Sequence, residues 1–233
     1  KMICIDKYII QKMKLSVNLN KIALLRNARG ENYPELSYFA HKAIDLGVNG
    51  LTLHPRPDHR HATSDDVIEI SKICKDRGTE FNIEGNPFSK TNNDFKGFCE
   101  LVDIIKPDQV TLVPDEINQI TSDHGWHSGE HDQELINAIE LIKSSSNNSK
   151  ISLFIDDMNG IEYASKLNVD LIEIHTGQFA KSILNNDESI ILNIQEMIDF
   201  ASNHNLLINA GHDLNLNNLN YLVKIGNINE VSI

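Results

Sequence analysis

The sequence predicts a single-domain α/β protein of the (βα)8 or TIM-barrel class. Three observations carry this reading. Eight short apolar runs of strand length alternate with helix-like stretches along the chain. Six of those runs end directly in polar, chemically able residues: Asn18-Leu19-Asn20-Lys21, His54-Pro55-Arg56, Glu84-Gly85-Asn86, Val113-Pro114-Asp115, His175-Thr176-Gly177 and Asn209-Ala210-Gly211-His212. No G-x-G-x-x-G follows the first strand, which argues against an open doubly wound sheet. In a parallel barrel the carboxyl ends of all strands open into one mouth, so six such ends describe one site.

The elements follow in order. The first strand is Leu15–Asn18, and a helix near Glu35–Leu46 is closed by Gly47. The second strand is Gly50–His54. Its helix begins after Thr63 or Ser64, good N-caps with Asp65 and Asp66 in the first turn. The third strand is Glu80–Glu84, with a helix over Asp94–Ile105 stopped by Lys106-Pro107-Asp108. The fourth strand is Gln109–Val113. A polar segment, Pro114–Glu130, follows it and holds the only tryptophan, Trp126; a βα loop of that length reads as a lid or binding loop. A helix over Asp132–Lys143, a strand Ile151–Ile155, a helix Gly160–Leu167 and a strand Leu171–His175 come next. A polar loop then leads to a helix over Glu188–His204. The strand Leu206–Asn209, the helix Leu216–Ile225 and the strand Glu230–Ile233 complete the count. The chain stops at the eighth strand, where a closing eighth helix is expected, so either residues beyond Ile233 close the barrel or this copy is incomplete. Residues 1–14 read as an N-terminal extension, with Met13 a plausible natural start, and residues 15–233 as the catalytic domain.

Composition bounds the function. At 233 residues the chain fits one barrel of about 250 residues. A net charge of −12 argues against a nonspecific nucleic-acid binder, because phosphate backbones want a basic face. It leaves room for a small phosphorylated substrate, which needs only local donors. Three scattered cysteines (Cys4, Cys74, Cys99) suit reduced side chains in the cytoplasm. No apolar run reaches the roughly 18–20 residues of a membrane span, and the start lacks a signal-peptide pattern.

The chemistry concentrates at the strand ends. Asn18, Asn20, Lys21, Arg26 and Arg29 make the segment after the first strand dense in donors, and an arginine fork suits a phosphate dianion. The alternative is a short helix with surface arginines. His54-Pro55-Arg56-Pro57-Asp58-His59-Arg60-His61 packs three histidines and two arginines into a loop stiffened by two prolines. No helical metal-binding spacing occurs in this run, so no metal site is expected. Glu84 ends an apolar strand; partial desolvation there raises a carboxyl toward the range useful for general acid–base work. The alternative for Glu84 is a structural ion pair with an arginine. His175 and His212 end two further strands, and Gly211 would let backbone approach a ligand closely. The helix start beyond Thr176-Gly177 could offer N–H groups to a phosphate.

Taken together, NLNKIALLRNARG (Asn18–Gly30), GLTLHPRPDHRH (Gly50–His61), Phe81–Glu84, LVPDEINQIT (Leu112–Thr121), ISLFID (Ile151–Asp156), IEIHTG (Ile172–Gly177) and NAGH (Asn209–His212) resemble the pyridoxine 5′-phosphate synthase family. These are barrel enzymes that close the vitamin B6 ring. The resemblance spans nearly all of Leu15–Ile233. It implies condensation of 3-amino-2-oxopropyl phosphate with 1-deoxy-D-xylulose 5-phosphate, giving pyridoxine 5′-phosphate, inorganic phosphate and water, with no cofactor. It implies that Asn18 and Arg29 bind the amino-ketone phosphate, and that His54 and Glu84 accept protons. Arg56, His61 and Thr121 would hold the deoxyxylulose phosphate, and His212 would donate a proton. It also implies an octamer built from dimers. The chain departs from many members at three places. Asn20-Lys21 stands where they carry Asp-His, so an amide and an ammonium would make the ketose contact. Asp213 stands where they carry Gly. The family's Gly-His phosphate site falls beyond Ile233.

Two other functions fit a barrel with this mouth. Lys21 could form a Schiff base in an aldolase acting on a sugar phosphate. A noncatalytic phosphometabolite-binding barrel would bind without turnover.

Overall fold

The computed structural model describes residues 13–116, 119, 121–187 and 189–233. Residues 1–12, and with them most of the expected extension and Cys4, lie outside the described residues. So does Glu188, the expected first residue of a helix.

Eight strands form a closed parallel barrel in sequence order: β1 (Lys14–Asn18), β2 (Gly50–Leu53), β3 (Glu80–Gly85), β4 (Gln109–Leu112), β5 (Lys150–Ile155), β6 (Leu171–His175), β7 (Leu207–Gly211) and β8 (Glu230–Ser232). The expectation that closure needs residues beyond Ile233 is overturned. β8 pairs directly with β1, Lys14 opposite Glu230 and Ser16 opposite Ser232. Three residues of strand are enough, because closure needs a ladder and not a further helix. β1 also takes in Lys14, one residue ahead of the expected domain boundary, and Lys14 Nζ donates to Glu80 Oε2 at 2.7 Å.

The strands alternate. Leu51, Leu53, Phe81, Ile83, Val110 and Leu112 are buried toward the helices. The residues between them are polar and fill the lumen. The Ser16 and Thr52 hydroxyls share a hydrogen bond at 2.8 Å, Thr111 donates to Asn82 Oδ1 at 3.1 Å, and Asn209 donates to Gln109 Oε1 at 3.2 Å. Glu173 and Glu230 are buried in the same column. Barrel lumens are commonly filled with branched aliphatic side chains; here a hydrogen-bonded polar column replaces them. Burial pushes the Glu173 carboxyl up to about 7. Burial, with Glu80 and Glu173 nearby, pushes Glu230 up to about 8.

Nine helices are described: α1 (Asn20–Asn27), α2 (Leu36–Asp45), α3 (Ser64–Arg77), α4 (Phe98–Ile105), α5 (Asp132–Ser145), α6 (Met158–Lys166), α7 (Gly177–Leu184), α8 (Ile190–Asn203) and α9 (Leu219–Ile225). α1 stands where the sequence offers a short helix as one alternative, and α7 stands where it suggests a polar loop. α1 starts from an Asx turn in which Asn18 Oδ1 accepts from Asn20 N–H at 2.9 Å. α4 starts four residues later than expected, because Gly97 takes a positive φ of 81° ahead of it. A β-carbon there would press on the Thr91 amide at 2.9 Å. Cys74 and Cys99 are free thiols, and Cys74 is buried against the sheet. Among the described residues no helix is long and apolar enough to cross a membrane.

α3 begins as the sequence indicates. Thr63 caps it, and Asp66 reaches back to the Thr63 amide at 2.7 Å, completing a capping box. Asp66 also receives both Arg26 terminal nitrogens, at 2.5 and 2.7 Å. This buried fork ties α1 to α3 and removes Arg26 from the candidates for phosphate binding. Burial opposes the Asp66 charge, but the bonds from Arg26 and Thr63 outweigh it, so its carboxyl lies below the usual range. A lowered carboxyl stabilises the fold above its unfolded pKa and loses that contribution as pH falls through the folded value. Asp66→Ala leaves Arg26 buried and unpaired, so chemical denaturation at pH 7 should show a loss of about 3 kcal/mol. The difference from the parent should shrink as pH falls below about 4. An unchanged denaturation midpoint would remove the pair from the stability account.

Candidate active site

The strand ends surround one cavity of about 350 Å³. Ten of the residues singled out from the sequence line it: Asn18, Asn20, Lys21, His54, Arg56, His61, Glu84, Thr121, His212 and Asp213. Arg29 does not; it is exposed at the far end of α1. Glu173, from the lumen, forms part of the floor. Sequence reading passed over Glu173 because it sits inside an apolar run, although its position in the β6 alternation marks it as lumen-facing.

Glu84 and His54 form the centre. Glu84 Oε2 lies 3.9 Å from His54 Nδ1 and receives Asn18 Nδ2 at 3.4 Å. Among the described residues no arginine reaches Glu84, so the structural ion pair considered for it is absent. Burial, then the nearby charges of Glu173 and Asp115, raise the Glu84 carboxyl well above its ordinary value. Burial also governs His54, pushing it down to about 4, with His61 and Arg56 adding to the effect and Asp115 opposing it. Desolvation is the largest of these causes. His61 is lowered too, by burial and then by Arg56 and Arg60.

Two expected ligand-binding residues have side-chain atoms committed to the protein. Asn20 Oδ1 accepts the His54 amide at 2.8 Å, fixing the β2 end against α1. Arg56 is buried and donates to Asp115 Oδ2 at 2.7 Å and to the carbonyls of Glu116 and Gln119 at 2.9 Å each. Asn27 was not singled out, yet its side-chain amide bonds the His59 and His61 carbonyls at 2.8 and 2.7 Å. It holds the histidine-rich loop in place. Lys21 is exposed at the rim, and among the described lining residues it is the cation with no carboxylate in reach.

On the opposite rim, Thr121 Oγ1 and His212 Nε2 are 2.9 Å apart. His212 and Asp213 both take positive φ, 84° and 58°. Thr176 holds this turn: its amide donates to the Gly211 carbonyl at 2.8 Å, and its hydroxyl lies 2.6 Å from the His212 carbonyl oxygen. His175 packs edge-on to His212 with ring centres 4.5 Å apart, and burial then His212 push it down to about 4. Gly211 is needed for a reason other than the one expected. A β-carbon there would collide with Glu173 Oε1, so the glycine makes room for a lumen carboxyl.

The described residues of the segment after β4 lie fastened to the barrel. Trp126 Nε1 donates to the Leu112 carbonyl and Trp126 N to the Phe154 carbonyl, each at 2.9 Å. Gly125 packs on the Ile155 backbone, and His127 Nε2 is 3.1 Å from Asp156 Oδ1. Residues 117, 118 and 120 of the expected lid lie outside the described residues.

Known proteins agree with this architecture. The profile of the family described as pyridoxal phosphate biosynthesis protein PdxJ matches residues 15–233. A pyridoxine 5′-phosphate synthase from Cytophaga hutchinsonii is 45% identical over 222 residues, covering 94% of this chain and 88% of its own. The enzyme of the same name from Xanthomonas axonopodis pv. citri is 42% identical over 223 residues, covering 94% and 87%. Among solved structures, a thiamine phosphate pyrophosphorylase from Pyrococcus furiosus superposes with a TM-score of 0.59 at 13% identity, covering 96% of this chain and 86% of that one. An HpcH/HpaI aldolase from Desulfitobacterium hafniense gives 0.57 at 9% identity, covering 95% and 86%. At such identities these two share the fold alone.

Burial makes a prediction about the histidines. Proton NMR titration of the imidazoles should find two, His54 and His175, that stay neutral down to about pH 5. Midpoints near 6.5 for both would contradict the desolvated rim.

Proposed function

Because this chain belongs to the PdxJ family of pyridoxal phosphate biosynthesis proteins, we propose that it is a pyridoxine 5′-phosphate synthase, a transferase. In this reading it condenses 3-amino-2-oxopropyl phosphate with 1-deoxy-D-xylulose 5-phosphate, releasing pyridoxine 5′-phosphate, inorganic phosphate and water. The observation that carries the reading is the convergence of Glu84, His54 and His212 on one cavity within a chain 45% identical to a named synthase.

The chemistry supports it. Imine formation, loss of water, loss of phosphate and ring closure each move protons, and none needs an electron acceptor. A general acid or base works best with a pKa near the operating pH. Burial moves Glu84 upward toward that range. His54 is neutral at pH 7, so its lone pair is free to take a proton. His212, hydrogen-bonded to Thr121 across the mouth, is the proposed donor. Holding both substrates in one small cavity adds a proximity term of several kcal/mol.

The binding roles follow the family resemblance. The resemblance gives the amino-ketone phosphate to Asn18, which lines the cavity, and to Arg29, which lies outside it; it gives the ketose phosphate to Arg56, His61 and Thr121, with Asn20 and Lys21 at the ketose contact, and Asp213 stands where many members place a Gly backbone against phosphate. Lys21 has the best support from geometry, since the other cations near the rim already face carboxylates: Arg26 faces Asp66, Arg56 faces Asp115 and Arg60 faces Asp58. The octamer of dimers and a cytoplasmic location belong to the same proposal.

A Schiff-base aldolase using Lys21 is the second reading, favoured only by the position of that amine at the rim. Its exposure counts against it, since such lysines are usually desolvated. Incubating the protein with both phosphorylated substrates should yield the pyridoxine chromophore. Borohydride added during turnover should leave Lys21 unmodified by mass spectrometry; a trapped adduct on Lys21 without the chromophore would favour the aldolase. Glu84→Gln should lower kcat on the order of a hundredfold while KM stays within a few-fold. Unchanged turnover would remove Glu84 from the mechanism.

A further inference from the structure

Asp115 follows β4 directly and is 8% exposed. Three contacts fix it. Its carbonyl receives the Asn86 side-chain amide at 2.7 Å, its Oδ2 receives Arg56 Nη1 at 2.7 Å, and the same Oδ2 lies 3.2 Å from His54 Nε2. Its Oδ1 is buried and has no hydrogen-bond partner among the described residues. Arg56 in turn is held by the Glu116 and Gln119 carbonyls, so the carboxylate it grips cannot swing away from His54 without breaking that set.

The two nitrogens of His54 therefore face different groups. Nε2 lies 3.2 Å from the Asp115 carboxylate, which only accepts; Nδ1 lies toward Glu84, a cavity-lining residue whose Oε2 is 3.9 Å away. A neutral imidazole carries one N–H, and the group opposite each nitrogen decides which one holds it. We propose that Asp115 is the positioning residue that sets His54 in its Nε2–H form and leaves Nδ1 as the proton acceptor on the substrate side. This rests on the reading of His54 as an acceptor in the synthase reaction. The burial that keeps His54 neutral makes the choice of form matter, since a doubly protonated ring would have no lone pair to offer.

The competing account makes Asp115 only the counter-ion of buried Arg56. That role would stabilise the fold but would leave the His54 proton indifferent to whether residue 115 is an acid or an amide. An asparagine here can accept from Arg56 with its oxygen and turn its amide nitrogen toward Nε2, which inverts the preference.

The test is nitrogen NMR of the whole chain labelled with ¹⁵N-histidine, with His54 assigned by difference against His54→Gln. Protonated and unprotonated ring nitrogens resonate far apart, so the form is read directly. The wild type should show Nε2 protonated. Asp115→Asn should shift the proton to Nδ1, with kcat down on the order of a hundredfold and KM within about threefold. Asp115→Glu should restore the wild-type form and at least tenfold of the lost turnover. Nδ1–H in the wild type, or Nε2–H retained in Asp115→Asn, overturns the assignment. If Asp115→Asn does not fold, the wild-type spectrum decides alone. If the wild type shows Nε2–H but makes no pyridoxine 5′-phosphate, the proposed reaction fails while the Asp115 assignment stands.

Discussion

Closure of the sheet between β8 and β1 is the constraint on which everything else depends. Three register pairs, from Lys14 with Glu230 to Ser16 with Ser232, join the two ends of the barrel. In an open sheet of the same strands, β1 and β7 would lie far apart, and Asn18 and His212 could not line one cavity. Closure also creates a lumen, and the alternation of each strand decides what fills it. Apolar residues go outward under the helices; Ser16, Thr52, Asn82, Thr111, Glu173 and Asn209 go inward. An apolar lumen would pack as well, but it would give the mouth a floor with no titratable group. Here the floor is Glu173, and its carboxyl helps to push Glu84 upward.

Low dielectric at the rim forces an economy of charge. A buried ion persists only if it is paired and hydrogen-bonded, or if it neutralises. Both outcomes occur within a few ångströms. Arg56 and Asp115 are paired with one another at 2.7 Å. Glu84, Glu173 and His54 move toward their neutral forms because burial outweighs the charges around them. The three groups that neutralise have no arginine or lysine paired with them among the described residues, although His54 lies 3.2 Å from the Asp115 carboxylate. The exposed Lys21 stands outside this economy, with its amine at the entrance.

Much of this was legible in the chain. Each of the eight strands was visible as a short apolar run, and the polar residues after the runs located the mouth because the fold converges strand ends. The cap at Thr63 and Asp66 was readable from local chemistry alone. What stayed hidden has physical reasons. α7 looked like a loop because Gly177, Gln178, Lys181 and Ser182 are polar; its signal was the pair Phe179 and Ile183, one helical turn apart on the buried side. Arg26 and Arg29 look alike in sequence, and only the fold shows that one is gripped by Asp66 while the other is exposed. Asp115 was visible only as part of a strand end and Glu173 only as a position in the β6 alternation; their partners, Arg56 and His54 for one and Glu84 for the other, are distant along the chain. Gly211 was noticed, but its purpose depended on Glu173, which lies on the adjacent strand.

The proposed function treats Glu84 and His212, brought to one cavity from β3 and from the turn after β7, as a single catalytic unit. Groups that act as a unit lose little more together than either loses alone, whereas independent groups multiply their losses. A double-mutant cycle on kcat, with Glu84→Gln and His212→Gln singly and together, tests this most directly. The double variant should fall within about threefold of the worse single variant. A double variant slowed by the product of the two single losses would mean that the two side chains serve separate tasks, and the claim would fail.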